Sequence, residues 1–211
     1  MRTVVTSLFL TRHGETEWNL DGKIQGHKDS PLTMLGKQQA GWLCDALGSI
    51  QINAIYSSTS QRAYETAEIL RGQREINIVK NERLMEINMG TWEGHERKHI
   101  ETIYPDEYYV FSNTPHLYKP QNGGESFIQL QNRIIPTIRD IILEHIGKNV
   151  LIITHAISLK VIMAYFRGES LENLWAPPFM RHTALNKVVM DGSSVHIELY
   201  GDLSHCISLE A

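Results

Sequence analysis

The sequence contains few cysteines, no long hydrophobic run and no excess of positive charge, and each of these absences excludes a class of protein. Among 211 residues only Cys44 and Cys206 are cysteines, and they belong to no Cys-x-x-Cys or Cys/His cluster. We therefore expect free thiols rather than a disulfide framework. No window reaches the ~18 consecutive apolar residues of a membrane span. The formal net charge of -4 disfavours nucleic-acid and membrane partners, because both require a basic surface.

What is present is typical of a globular protein, with 42% hydrophobic and 21% charged residues. At this length we predict one domain over 1–211. The first ten residues carry one arginine and a short apolar stretch. Thr11, Arg12 and His13 end this stretch before the core of a signal peptide can form. The sequence therefore predicts a cytoplasmic protein.

Two short apolar runs, Val4–Leu10 and Val150–Ile153, are typical of central strands in a parallel sheet. Near the end of the chain, Asp191 and Gly192 lie between two segments of alternating polarity, which predict a hairpin over 185–200. Further strands are predicted over 53–57 and 76–79.

Helices are predicted between these strands, over 34–47, 61–70, 126–146 and 156–166. The first three are opened by side chains that can cap a helix, namely Thr33, Ser60 and either Glu125 or Ser126. The alternation of strands and helices predicts an α/β fold: a three-layer sandwich with a mostly parallel central sheet, helices on both faces and an antiparallel edge.

The stretch 104–124 is rich in proline, tyrosine and glycine, and we expect it to be irregular. Long loops in compact domains often cover binding sites, so the segment 92–124 is predicted to form a lid or insertion. Its aromatic side chains would leave room for an apolar or planar group of a ligand, or could instead pack the loop onto the body. These side chains, with two neighbouring basic residues, are Tyr108, Tyr109, Phe111, His116, Tyr118 and Lys119.

Both central strands run into a histidine, His13 after the first and His155 after the second. In an open α/β sheet, ligands bind beyond the carboxyl ends of the strands, so the two imidazoles are predicted neighbours. The strand predicted over 53–57 is followed, one helical turn later, by Arg62. With Arg12 this gives two guanidinium groups and two imidazoles around one cleft, a set suited to a phosphate ester.

A neutral imidazole can attack phosphorus when cations neutralise the charge that develops on the transferring oxygens. No motif indicates Mg²⁺, so the arginines and the second histidine would supply that stabilisation. Glu86, which follows a strand-like segment, is the best-placed proton donor for the leaving oxygen. We expect no metal and no bound cofactor.

These residues lie in five separated motifs: Leu10-Thr11-Arg12-His13-Gly14-Glu15-Thr16 with Trp18-Asn19 and Gln25-Gly26, Ile55 through Ala67, Leu84-Met85-Glu86 with Gly90 through Gly94, Gly124-Glu125-Ser126, and Ile153-Thr154-His155. In this order they closely resemble the histidine phosphatase superfamily, in its phosphoglycerate-mutase-like branch. The resemblance covers nearly the whole chain.

The resemblance implies that His13 is a nucleophile that becomes a phosphohistidine, while Arg12, Arg62 and His155 bind phosphoryl oxygens. Glu86 would protonate the leaving group and then act as base toward water. Further substrate contacts are implied for Asn19, Gln25, Gly26 and Ala156, although Asn19 could instead cap a turn. The sequence departs from many relatives at Ala156, where they have glycine.

Two reactions share a phosphohistidine: hydrolysis to free phosphate, and a phosphoglycerate mutase reaction that requires 2,3-bisphosphoglycerate. A mutase must retain its intermediate and exclude water. The chain is shorter than typical cofactor-dependent mutases, and its Ile-Asn-Met-Gly-Thr-Trp-Glu-Gly segment resembles phosphatase relatives. We therefore expect a phosphomonoesterase that acts on small phosphorylated metabolites.

Three other possibilities follow from the sequence. His95 and His99 form an H-E-x-x-H pattern like that of zinc hydrolases, but the charged Arg97 and Lys98 between them indicate a surface turn, and no third ligand is evident. A pseudo-enzyme would lack part of the catalytic set, which is complete here. The edge of the C-terminal hairpin could pair with a second copy in a homodimer, or be capped by the C-terminal tail.

Overall fold

The computed structural model describes residues 4–192 and 194–206 and is built around one six-stranded sheet. Its strands are β1 (Val5–Arg12), β2 (Ala54–Ser58), β3 (Ile78–Asn81), β4 (Asn149–Thr154), β5 (Leu185–Asp191) and β6 (Ser194–Asp202). Its helices are α1 (Glu17–Leu20), α2 (Met34–Ala46), α3 (Gln61–Arg71), α4 (Arg97–Ile103), α5 (Pro105–Asn113), α6 (Phe127–Glu144) and α7 (Ala156–Arg167). None of these helices is long and apolar enough to cross a membrane.

The strands lie in the order β3-β2-β4-β1-β5-β6. The first four are parallel, β5 is antiparallel to β1, and β6 is antiparallel to β5. The predicted three-layer sandwich with an antiparallel edge is confirmed. The pairing of β1 with β4 ends with Arg12 opposite Thr154, so the residues that follow both strands emerge side by side at one edge.

The central strands are buried on both faces, which explains their continuous apolar runs. On β1, Leu8 and Leu10 belong to the core beneath α6 and α7, whereas Phe9 belongs to the core on the opposite face beneath α2 and α3. Each layer of helices therefore packs on its own side of the sheet. The edge of the sheet formed by the carboxyl ends of the parallel strands lies between the two layers of helices, and the candidate site lies at this edge.

The expectation of an irregular stretch over 104–124 was wrong, because much of it forms α5 and a 3₁₀ turn over Pro115–Leu117. Pro105 occupies the first turn of α5, where a backbone N–H would have no acceptor within the helix, so the N–H that proline lacks is not needed. Phe111 and Tyr118 are buried and pack with their ring centroids 5.8 and 6.2 Å from that of Trp92. Phe111 and Tyr118 thus pack this segment onto the body, which is one of the two roles expected for its aromatic residues, whereas Tyr109 is 63% exposed.

The helix starts agree with the prediction in position, but only two of the three predicted side chains cap their helix. The hydroxyl of Thr33 accepts a hydrogen bond from Gly36 N at 2.9 Å, and Ser126 forms a capping box with Gln129. Ser60 precedes α3 as predicted, yet its hydroxyl makes no cap hydrogen bond. The carboxylate of Asp29, from another loop, accepts hydrogen bonds from the first two backbone N–H groups of α3 instead.

The remaining expectations concern the periphery. Cys44 and Cys206 are free, as expected, and both are half-buried. The hairpin of β5 and β6 forms the antiparallel edge. The tail that could cap this edge, residues 207–211, lies outside the described residues, as does Ser193 in the hairpin turn.

Candidate active site

The residues that follow neighbouring strands meet at one end of the sheet. His13 follows β1 and His155 follows β4, and their ring centroids are 5.2 Å apart. Arg62, in the first turn of α3, donates a hydrogen bond from Nε to Nε2 of His13 at 3.2 Å. Glu86 and Arg12 line the same cleft as His13 and Arg62. The structure thus brings together all five residues predicted to carry the chemistry, and we call this region the phosphate end.

The ring of His13 has one hydrogen position fixed by the backbone. Its Nδ1 lies 2.7 Å from the carbonyl oxygen of Gly14, and because a carbonyl only accepts, Nδ1 carries the hydrogen. Nε2 then presents its lone pair toward Arg62 and the cleft. Burial, followed by the charges of Arg62 and Arg12, holds the pKa of His13 well below its usual 6.5. The imidazole is therefore neutral at neutral pH, as a nucleophile must be.

His155 lies behind His13 and is fully buried. Its Nε2 is within 2.8 Å of the Ser58 hydroxyl and 3.2 Å of the Ser60 hydroxyl, while its Nδ1 is buried without a partner among the described residues. Burial, followed by the charges of Arg62 and Arg12, lowers its pKa well below 6.5. A serine hydroxyl can donate to Nε2 or accept from it, so these contacts are compatible with either neutral tautomer; in the tautomer with the hydrogen on Nδ1, that hydrogen needs an acceptor.

Arg12 is a second donor held in place at the phosphate end. Its Nη1 donates to the carbonyl of Met180 at 3.0 Å, whereas its buried Nε has no hydrogen-bond partner within the described part of the chain. Burial lowers the pKa of Arg12 to about 10, so the group stays charged at neutral pH. An unpartnered buried guanidinium donor at the wall of a cleft is suited to an anion.

Arg62 is fixed by the loop between α1 and α2. Its Nη1 donates to Lys28 O at 2.8 Å and pairs with Asp29 at 2.9 Å, and its Nη2 donates to Gly26 O at 2.8 Å. Its side chain is only 1% exposed, against 29% for that of Asp29. Because Asp29 also binds the first N–H groups of α3, one carboxylate aligns both the arginine and the helix that carries it.

The same loop is held from the other side by the buried carboxylate of Glu93. Its Oε1 accepts from His27 N at 2.8 Å and Met89 N at 3.0 Å, and its Oε2 accepts from Lys28 N at 3.0 Å. Gly26 has φ of +55°, and a Cβ at that position would collide with Glu93. Glycine is therefore required where this loop passes the carboxylate.

Glu86 lies at the N-terminus of α7. Its carboxylate accepts hydrogen bonds from Ile157 N at 3.0 Å, Ser158 N at 2.9 Å and Ile87 N at 3.1 Å, and the Ser158 hydroxyl oxygen lies 3.2 Å from Oε1. It forms no ion pair with an arginine in the described ranges. The carboxylate is thus oriented by backbone N–H groups, two of them at a helix start, while it borders the cleft that also contains His13.

The residues implied as further substrate contacts also lie at the cleft. Asn19, Gln25, Gly26 and Ala156 line it. Asn19 closes a capping box at the start of α1, in which its Oδ1 accepts from Thr16 N at 3.1 Å. The structure therefore shows the capping role that the sequence left open and, at the same time, places the residue at the cleft wall.

The cleft has a volume of about 460 Å³. Besides the polar residues above, it is lined by a set of apolar and aromatic side chains, which we call the outer wall: Ile24, Met89, Tyr108, Phe111, Trp175 and Phe179. Lys23 and Arg97 also line the cleft and add two cations to it. Of these, only the aromatic residues of 104–124 were expected from the sequence; Trp175 and Phe179 lie in a loop after α7 that carries no motif.

The H-E-x-x-H pattern does not form a zinc-hydrolase helix. His95 and Glu96 precede Arg97, the first residue of α4, so the two histidines do not share one helical face. Their rings stack with centroids 5.7 Å apart at an exposed surface. Within residues 4–192 and 194–206, no group of three or more His, Cys, Asp or Glu side chains could hold a metal ion.

The fold and this site define an enzyme of phosphoryl chemistry. The family model of the histidine phosphatase superfamily (branch 1) matches residues 8–203, and the chain belongs to that family. The Bacillus stearothermophilus protein YhfR is similar in structure, with a TM-score of 0.91 and 46% identity over 95% of this chain and 98% of that one.

Two relatives from Arabidopsis thaliana bear names that correspond to the two reactions considered above. The metal-independent phosphoserine phosphatase is 30% identical over 97% of this chain and 85% of its own. The phosphoglycerate mutase-like protein 4 is 30% identical over 94% of this chain and 86% of its own. The predicted class, a phosphomonoester hydrolase of this superfamily, is confirmed, and the mutase-like relative represents the alternative.

Proposed function

We propose that the protein hydrolyses small phosphate esters through a phosphohistidine on His13. The observation that carries this proposal is the state of the His13 ring, whose Nδ1 hydrogen is held by Gly14 O so that Nε2 carries the lone pair, toward which Arg62 Nε donates in the absence of substrate. Nε2 attacks phosphorus and forms the N–P bond as the ester P–O bond breaks. Glu86 transfers a proton to the departing oxygen, and the alcohol leaves.

The second half of the reaction returns every group to its starting state. Glu86, now a carboxylate, takes a proton from water, and the resulting oxygen attacks phosphorus. The N–P bond breaks, phosphate leaves, and His13 is again neutral with its lone pair on Nε2. The proton that Glu86 gave to the alcohol is replaced by the proton from water, so the cycle balances.

The charge that develops on the transferring oxygens is stabilised by donors already in place. Nε of Arg12 is a buried donor without a partner in the described part of the chain, and Nδ1 of His155 also lacks a partner there. We assign the hydrogen of His155 to Nδ1, so that phosphoryl oxygens would satisfy both atoms. Arg62 lies beside the attacking nitrogen. Donors fixed before the reaction do not need to reorganise during it, which is the main source of electrostatic catalysis.

We further propose that the outer wall accepts the leaving group. Its aromatic and aliphatic side chains suit an apolar or planar alcohol, and Arg97 and Lys23 suit a second negative group on that alcohol. The segment 92–124 contributes Arg97, Tyr108 and Phe111 to the cleft lining and serves as the cover of the cleft. Metal independence is part of the proposal and is supported by the metal-independent phosphoserine phosphatase among the relatives.

A product analysis separates hydrolysis from the mutase reaction. The protein is given 3-phosphoglycerate with 2,3-bisphosphoglycerate as primer, with and without EDTA, and both 2-phosphoglycerate and free phosphate are measured. We expect free phosphate as the main product. Rapid isomerisation with little phosphate release would identify a mutase, and activity that EDTA abolishes would overturn metal independence. The H13A variant serves as the blank.

A further inference from the structure

Arg133 on α6 uses its whole guanidinium group to hold the segment that carries Glu86. Nε and Nη2 form a two-point pair with Glu125, at 2.7 and 2.9 Å. Nη1 donates to the carbonyls of Arg83 and Met85 at 2.8 and 2.9 Å, and Nη2 donates to the carbonyl of Glu86 at 2.7 Å. A guanidinium has five N–H groups, and here each has an acceptor.

Glu125 fastens the same segment at a further residue. Its backbone N–H donates to Asn88 O at 2.8 Å, and its carboxylate accepts from Asn88 N at 3.3 Å. Glu125 therefore binds both backbone polar groups of Asn88. We call Glu125 and Arg133 the clamp, since together they bind the backbone at four residues, Arg83, Met85, Glu86 and Asn88.

The opposite side of this segment is fixed by residues from β4 and α7. The hydroxyl of Thr154 donates to Leu84 O at 2.6 Å, and that of Ser158 donates to Met85 O at 2.8 Å. Ser158 also binds the carboxylate of Glu86. The backbone of Glu86 is therefore held by the clamp, while its carboxylate is held by α7.

We propose that the clamp is a positioning device for Glu86, which sets the distance between its carboxylate and the leaving oxygen. The clamp residues do not line the cleft, so they act through Glu86 and not on the substrate. This proposal rests on the proposed role of Glu86 as proton donor. Its consequence is specific: loosening the clamp impairs protonation of the leaving group more than attack by His13.

The test compares two esters of similar size that differ in their need for a proton. 4-Nitrophenyl phosphate releases a stable phenolate, whereas benzyl phosphate releases a basic alkoxide that must be protonated. The value of kcat/KM reports the first half of the reaction, up to release of the alcohol. We expect E86Q to lose about 10²-fold in kcat/KM on benzyl phosphate and far less on 4-nitrophenyl phosphate.

The clamp variants should reproduce this selectivity. We expect R133M to lose about tenfold more kcat/KM on benzyl phosphate than on 4-nitrophenyl phosphate. R133K keeps the charge but lacks the planar guanidinium that binds at several points, and its loss should be intermediate. R139M is the matched control, because Arg139 lies on the same helix, is exposed and bonds to the Tyr165 hydroxyl instead. It should leave both values unchanged.

The outcomes distinguish the two proposals. Equal losses on both esters in R133M, with selective loss in E86Q, would overturn the clamp alone. Equal losses in E86Q would overturn the role of Glu86 as proton donor, and the clamp proposal with it. If R133M does not fold, R133K and E125Q carry the same comparison, with a thermal melt to confirm the folded state of each variant.

Discussion

The phosphate end and the outer wall of the same cleft are built in opposite ways. At the phosphate end, His13, Arg62 and Glu86 each have hydrogen-bond partners that fix their orientation. On the outer wall, Phe179 is 69% exposed and Trp175 is half-buried with one hydrogen bond, to Phe111 O. In the proposed mechanism the reacting groups are therefore held by polar contacts, while the leaving group meets apolar side chains that range from the buried Phe111 to the exposed Phe179.

Removal of the nucleophile should cost more activity than any other change. H13A should lose about 10⁴-fold or more in kcat on every phosphate ester, whatever its leaving group, because no other group can form the covalent intermediate. Initial rates on 4-nitrophenyl phosphate and glycerol 1-phosphate measure this. The exposed His196 provides the control H196A, which should keep full activity. Substantial turnover by H13A on either ester would contradict a reaction through His13.

A smaller loss should follow from loosening Arg62 without removing it. D29N keeps the size of the side chain but weakens both the ion pair with Arg62 and the cap of α3. We expect kcat/KM to fall about tenfold on all esters alike, and the free energy of unfolding to fall by about 1 kcal/mol.

Steady-state kinetics measures kcat/KM of D29N, and urea titration measures its free energy of unfolding. D45N, at an exposed position on α2, is the charge-matched control and should change neither. An unaltered kcat/KM in D29N would show that the orientation of Arg62 does not depend on Asp29.

The outer wall should respond to the leaving group alone. F179A removes an exposed ring from the cleft margin, and we expect KM for 1-naphthyl phosphate to rise about fivefold while the constants for glycerol 1-phosphate stay the same. The comparison of the two esters in wild type and F179A measures this. L143A removes an equally exposed apolar side chain on α6 and should have no effect. A loss of kcat on both esters would contradict the prediction that the outer wall affects only the binding of the leaving group.

The smallest predicted effect is a loss of folding stability at acidic pH, which arises from a histidine close to the phosphate end. Burial, then the charge of Arg12, lowers the pKa of His182 to about 3, and the ring centroid of His182 is 6.4 Å from that of His13. Between about pH 6.5 and the lowered pKa, this histidine is protonated in the unfolded chain but neutral in the folded chain. The stability it confers is therefore complete above about pH 6.5 and is lost as the pH falls toward the lowered pKa.

His13 and His155 act in the same direction, since their pKa values are also lowered. The free energy of unfolding, measured by urea titration between about pH 7 and about pH 4.5, should decrease in wild type. The decrease should be shallower in H182Q, whereas H196Q should match the wild type. An identical slope in H182Q and wild type would show that His182 does not titrate as described.

Much of the phosphate end could be predicted from the sequence because its signals are local. His13 and His155 each follow a short apolar strand directly, and parallel strands bring their carboxyl ends to one edge. Arg62 follows a strand by one helical turn. For residues of this kind, the pattern of the strand also specifies the place of the functional side chain.

The remaining features depend on contacts between distant segments. Asp29 replaces Ser60 as the cap of α3 because a loop from before α2 reaches that helix start, and nothing near Asp29 in the sequence signals it. Trp175 and Phe179 reach the cleft only through the path of the loop after α7. The helix α5 was missed because proline and tyrosine favour loops in isolation, whereas packing against Trp92 stabilises a helix there.

The whole mechanism depends on a phosphoryl group that resides on Nε2 of His13 between the two half-reactions. Rapid mixing with a ³²P-labelled ester, quenching in base and peptide mapping would trap this intermediate. We predict acid-labile, base-stable label on the peptide that contains His13, and no label in H13A. Label on a serine peptide, or turnover of the wild type with no trapped label at any quench time, would contradict it.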